Sequence, residues 1–205
     1  MQHTVRHKNP TSLFVCFPPK RCRDVERNGL FLISLESKIL PENIGVHFLP
    51  TSKFKTTLVA VSLQQVLDEE SAAQTALLPA VLKRGTEHYP TLRDLKIRLE
   101  ELYGATLEAD VVKKGERQIL TFSLEVINDK FASGEKLLQQ GLAVLREVIS
   151  APFLQNGSFH ADYVRQEKEQ LAREIQGLVN DKVSYALERC IQEMCSGERF
   201  GVYKY

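Results

Sequence analysis

The sequence predicts an α+β fold in which an antiparallel sheet carries helices on one face. Extended, β-branched segments occur in two pairs, and helical patterns follow each pair, giving the order β-β-α-α-β-β-α-α. Strands that arrive in pairs favour an antiparallel sheet over a doubly wound parallel one. At 205 residues, with 43% hydrophobic and 26% charged residues, the chain is large enough to bury a single core.

The first strand pair is predicted after an irregular leader. Residues 1–43 show no sustained hydrophobic period, and we assign them as a leader that is disordered, an accessory strand or an extension absent from the native protein. A pattern typical of strands begins at Ile44, where the segments GVHFL and FKTTLVAVSL flank a turn at Pro50. Residues 44–205 are therefore assigned to one domain.

The first helix is predicted between Glu69 and Gly85. Acidic residues suit the positive N-terminal end of a helix, and Gly85 is a stop signal. Pro79 is expected to kink this helix, because proline removes a backbone hydrogen bond. The expected buried positions repeat at helical spacing: Ala73, Leu77, Leu78, Val81 and Leu82.

Later elements follow from the same signals. A second helix opens at Thr91 and buries a leucine face, and residues 105–112 and 118–127 form a hairpin. Asn128 and Asp129 are candidate caps for the third helix. A final helix is predicted over residues 159–194, with an interruption near Gly177.

Composition excludes some partners and compartments. The net charge is +1, so we expect neither nucleic acid nor an anionic membrane as a partner. The longest apolar runs, 29–35 and 58–63, are far shorter than the roughly 18 residues of a membrane span, and we expect a cytoplasmic protein. Four cysteines without C-x-x-C spacing are interpreted as free thiols, although a metal cluster of His3, His7, Cys16 and Cys22 is an alternative.

The segment TALLPAVLKRGT, residues 75–86, carries the strongest functional signal, together with LEELYGATLEA and VRQEKEQLAREI. These stretches resemble the insulinase and mitochondrial processing peptidase family, in which an inverted zinc motif, H-x-x-E-H, precedes a closing Gly-Thr. Aligned on Gly85 and Thr86, the motif is replaced by Ala76-Leu77-Leu78-Pro79-Ala80. A methyl group cannot bind zinc and a proline ring cannot accept a proton from water. The resemblance thus implies a chain that lacks zinc and is not an enzyme.

The same resemblance implies a remnant of the metal site on the final helix. Glu174 matches the glutamate that completes the zinc site, and Glu167 matches a second glutamate seven residues earlier. Alternatively, both carboxylates lie on one solvated helix face beside Lys168 and Arg173, because seven residues make two helical turns. A rescued site formed by His88 and Glu174 is a further alternative.

A peptide-binding edge strand is also implied. In active relatives this strand holds substrate backbone through an Asn-Ala pair, and Glu108 and Ala109 stand at those positions. Edge-strand pairing uses main-chain groups, so peptide binding can persist without zinc. Glutamate can equally block such pairing.

Taken together, the resemblance is to a non-catalytic branch of the family found in Gram-positive bacteria. It implies a non-catalytic subunit that forms a heterodimer with an active zinc-peptidase paralogue and helps to enclose peptide substrate. The alternatives are a peptide- or protein-binding scaffold linked to translation-factor modification, and an active peptidase with an atypical metal site. Because family subunits contain two homologous domains, residues 44–205 are expected to be an N-terminal domain truncated before its last strand.

Overall fold

The computed structural model describes residues 11–15, 36–40, 44–51, 53–132 and 134–202. The strands, in chain order, are β1 Thr11–Val15, β2 Glu36–Leu40, β3 Ile44–Phe48, β4 Thr56–Val66, β5 Thr106–Lys114, β6 Arg117–Ile127, β7 Leu154–Gln155 and β8 Ser158–Phe159. The helices are α1 Glu69–Leu82, α2 Leu92–Glu101, α3 Leu137–Ser150, α4 Ala161–Gly177 and α5 Lys182–Met194.

The main sheet has the order β2-β3-β1-β4-β6-β5 and is antiparallel except between β1 and β3. The predicted α+β class is confirmed. The first two predicted strands, β3 and β4, are not neighbours in the sheet, so this part of the prediction is wrong. Strand β1 lies between them, with Thr11 opposite both Ile44 and Leu63. Strands β1 and β2 both fall within the predicted leader, and the domain boundary at residue 44 stays a prediction.

The core lies on one face of β6, where burial alternates with the strand period. Leu120, Phe122, Leu124 and Val126 are buried, and helices α1, α2 and α3 cover this face with apolar side chains that include Leu82, Leu95 and Val148. The site described below is built on the β5 side of this core. Within the described part of the chain, β5 is the last strand of the sheet.

Helix α1 begins at Glu69, and its N-cap is Asp68, whose carboxylate accepts a hydrogen bond from the Ser71 amide at 3.1 Å. Pro79 is buried inside this helix. The predicted burial of Ala73 is wrong: Ala73 is exposed and Ala72 is 1% exposed. Ala72 faces the sheet, and its carbonyl accepts a hydrogen bond from the buried Gln118 side chain at 3.0 Å.

The remaining helices follow the predicted boundaries with one correction. Helix α2 has a capping box between Thr91 and Asp94, as its N-terminal signal suggests. Asn128, however, caps a short 3-10 turn rather than α3. Asp129 still contributes to α3, because its carboxylate accepts a hydrogen bond from the Leu138 amide at 3.1 Å.

The predicted interruption of the final helix is present. A 3-10 turn, Leu178–Asn180, separates α4 from α5. Helix α5 is held to the sheet by Lys113, whose Nζ lies 3.3 Å from Glu188 Oε1 and donates to the carbonyls of Phe200 and Val202. None of the described helices combines the length and apolar character needed to cross a membrane.

Gly141 provides a test of how closely α3 packs on the sheet. A Cβ at this position would lie 2.9 Å from both Leu124 Cδ2 and Val126 Cγ1, so Gly141→Ala must displace buried side chains. We expect it to lower the free energy of unfolding by roughly 1–3 kcal/mol in urea denaturation. Gly177→Ala is the matched control, since nothing lies within 4 Å there, and it should raise stability by up to about 1 kcal/mol. Equal changes in the free energy of unfolding for Gly141→Ala and Gly177→Ala would contradict the close packing of α3 on the sheet.

Asp181 makes the N-terminus of α5 sensitive to pH. Its carboxylate accepts hydrogen bonds from the Ser184 hydroxyl at 2.7 Å and the Ser184 amide at 3.1 Å, and these bonds lower its pKa below 3.8. The cap is therefore fully formed above the ordinary carboxyl pKa and is lost as the pH falls through the lowered value. We expect amide-exchange protection of Ser184 to fall in that range, whereas Asp181→Asn should show no such step. A step in both proteins would exclude Asp181 as its cause.

Candidate functional site

The end of α1 is fixed by a close backbone contact. A Cβ on Gly85 would lie 2.4 Å from the Pro90 carbonyl oxygen, so only glycine fits there. The next residue, Thr86, is fully buried and its amide donates to the Tyr89 carbonyl at 2.8 Å. This turn sets the position of the preceding helical residues, including Ala76, Pro79 and Ala80.

Helix α4 packs against α1 and brings Glu167 to it. Arg84 at the end of α1 forms an ion pair with Glu167, and the exposed fractions of the two side chains are 25% and 14%. The Arg84 guanidinium also lies 5.7 Å from the centre of the Tyr163 ring. Glu167 is therefore a half-buried carboxylate whose charge is paired with Arg84. It does not lie on a freely solvated helix face.

Glu174 is different, because its side chain is exposed. It accepts a hydrogen bond from Gln170 Nε2 at 2.8 Å, and Gln170 in turn accepts one from Arg173 at 2.9 Å. These are contacts along one helix face, as the alternative interpretation expects.

A cavity of about 230 Å³ brings most of the predicted site positions together. Its walls come from α1, α4 and the edge strand β5. The lining residues are Ala76, Leu77, Pro79, Ala80, Lys83, Ala109, Asp110, Val111, Glu167, Gln170, Leu171 and Glu174. Glu108 is exposed on β5 and does not line the cavity. Sequence positions up to 98 residues apart thus share one cavity, and the functional roles implied by the resemblance stay predictions.

The residues of this cavity do not fit a zinc ion. Ala76, Pro79 and Ala80 offer no donor atom, and Arg84 already neutralises Glu167. Among the described residues, no group of three or more histidine, cysteine, aspartate or glutamate side chains is arranged to hold a metal. The alternative cluster of His3, His7, Cys16 and Cys22 lies outside the described residues.

The described histidines lie elsewhere. His47, on β3, lies 2.8 Å from the Ser37 hydroxyl, and the His160 ring stacks with Phe153 and lies tilted against Tyr163. The structure pairs His88 with Glu147, at 3.4 Å, rather than with Glu174. The rescued site of His88 and Glu174 is therefore not formed.

A second, larger cavity was not predicted from the sequence. It measures about 400 Å³ and shares Ala80, Lys83 and Glu167 with the first. Its other lining residues are Arg84, Leu92, Leu95, Lys96, Leu99 and Leu107. The only sequence signal for it is the adjacent pair of basic residues, Lys83 and Arg84, directly after α1.

The Arg84–Glu167 ion pair gives a test of how α4 is held against α1. Arg84→Met leaves a half-buried carboxylate without its cation, and we expect it to lower the free energy of unfolding by roughly 1–3 kcal/mol in denaturant titration. Arg84→Met combined with Glu167→Leu should recover stability to within about 1 kcal/mol of the original protein. Arg93→Met, at an exposed site on α2, is the control for charge loss. If Arg84→Met and Arg93→Met lowered the free energy of unfolding equally, the ion pair would not stabilise the fold.

Comparison with known proteins finds one curated relative and a solved structure that each match most of this chain. No protein-family model matches the sequence. The chain is 39% identical over 161 residues to Probable inactive metalloprotease YmfF of Bacillus subtilis (strain 168), an alignment that covers 78% of this chain and 38% of that protein. The crystal structure of a conserved protein from Enterococcus faecalis V583 matches with a TM-score of 0.70 and 29% identity, over 78% of this chain and 39% of the other. The chain is thus related to a protein described as an inactive metalloprotease, and it spans less than two-fifths of either relative.

Proposed function

We propose that this chain is part of a non-catalytic subunit that docks an active zinc-peptidase paralogue, as a heterodimer, and helps to enclose peptide substrate. The observation that carries the proposal is the cavity between α1, α4 and β5, which is lined by methyl groups and a proline ring at the positions that the resemblance assigns to the zinc motif. A cavity whose carboxylates are not grouped to hold a metal among the described residues suits binding without hydrolysis. Under this proposal the subunit carries no zinc and works in the cytoplasm.

The edge strand supports the peptide-binding part of the proposal. Strand β5 ends the described sheet, and Ala109 on this strand lines the cavity. A free strand edge can pair with an extended peptide through main-chain hydrogen bonds, whatever the neighbouring metal site contains. Glu108 is exposed on the same strand and discourages pairing with an apolar or acidic strand.

An active peptidase with an atypical metal site has less support. It needs Glu167 and Glu174 as ligands, but Glu167 is bound by Arg84 and no described histidine lines either cavity at this site. Nothing in the described residues favours the translation-factor scaffold over the peptidase subunit, and the test below separates them.

The proposal predicts that this protein activates a partner without turning over peptide itself. The full-length protein should co-elute in light scattering with a paralogue that keeps the zinc motif. We expect it to raise the paralogue's peptide turnover by roughly tenfold or more, on the scale of substrate positioning effects. Glu174→Gln should not abolish the turnover of the complex.

Other outcomes assign other functions. Stoichiometric zinc in the isolated protein, with peptide cleavage abolished by Glu174→Gln, would establish an active hydrolase. No association and no change in turnover would favour an independent binding scaffold.

A further inference from the structure

We propose that the two cavities form one groove for an extended peptide. The basic end of this groove binds an acidic residue of the peptide that is flanked by apolar side chains. This inference rests on the proposed peptide binding and adds the chemical class of the peptide. Two observations support the inference: the residues that line the larger cavity, and the difference in charge between the two cavities.

The two cavities adjoin each other beside β5. They share Ala80, Lys83 and Glu167, and β5 contributes Leu107 to the larger cavity and Ala109 to Val111 to the smaller. Strand residues rise by about 3.3 Å each, so Leu107 and Val111 lie about 13 Å apart. A peptide that runs along this edge therefore passes from one cavity to the other.

The larger cavity combines an apolar wall with positive charge. Leucines from α2 and β5 form the wall: Leu92, Leu95, Leu99 and Leu107. Lys83 and Lys96 line the same cavity, and neither forms an ion pair with another described residue. Arg84 is already paired with Glu167. Two uncompensated ammonium groups beside a leucine wall therefore select a carboxylate that is accompanied by apolar groups.

The smaller cavity is more acidic than the larger one. Asp110 and Glu174 line it beside the shared Lys83, and both carboxylates are exposed. A second acidic residue in the peptide would be repelled there, whereas a neutral or basic residue would be accepted. The groove thus has a charge polarity, and it fixes the direction in which a peptide binds.

The test compares three labelled eight-residue peptides of alanine and valine that differ only in two adjacent positions near one end. These positions hold glutamate, glutamine or lysine. Fluorescence anisotropy with the full-length protein at low salt should show the glutamate peptide binding about tenfold more tightly than the glutamine peptide, with the lysine peptide weakest.

Matched variants assign this preference to the groove. Lys83→Gln with Lys96→Gln should abolish the difference between the glutamate and glutamine peptides while leaving the affinity for the glutamine peptide within about twofold. Lys136→Gln with Lys168→Gln removes the same charge from exposed positions outside both cavities, and it should keep the preference.

Each contrary result is informative in a different way. If the glutamine peptide binds as tightly as the glutamate peptide, or if the preference survives in the groove variant, the acidic selectivity is wrong and peptide binding itself stands. If no peptide binds to the protein alone or to its complex with the paralogue, peptide binding fails and the selectivity fails with it.

Discussion

The burial of one face of β6 positions the other elements of the candidate site. Phe122 and Leu124 are fully buried beneath α1 and α3, and this contact fixes which side of the sheet carries helices. Because β4 occupies one edge of β6, β5 takes the other edge and becomes the last described strand. The proposed groove lies beside this strand, where residues of α1, α2 and α4 line the two cavities with it.

An ion pair holds the two helical walls of the groove together. Arg84, which follows α1, contacts Glu167 on α4 and so joins the two elements by a charge pair. A guanidinium has a fixed planar geometry and no open coordination position, so it joins the walls without activating water. It also leaves Lys83 and Lys96 as the charges available to a ligand.

Local patterns predicted the fold where the contacts are local, and failed where they are not. The β5–β6 hairpin and α2 followed from alternation and from the Thr91 cap. The insertion of β1 between β3 and β4 depends on a parallel pairing with Ile44 that no local pattern encodes. The candidate site shows the same contrast. The positions that the resemblance assigns to the zinc motif are found locally, by alignment on Gly85, whereas the Arg84–Glu167 contact joins residues 83 positions apart.

The apolar side chains near the end of α1 place no polar demand on the fold. A buried histidine or glutamate in a metal site needs a partner for each polar atom, and without metal those atoms would be left unsatisfied. Alanine at positions 76 and 80 and proline at 79 remove these requirements, while the Asp68 cap still begins α1 and the Pro79 carbonyl still accepts from the Lys83 amide at 3.2 Å. These side chains have no polar atom to leave unsatisfied in this segment of α1. The charged side chains that line the same cavities, among them Lys83 and Lys96, are left to determine which peptide the proposed groove binds.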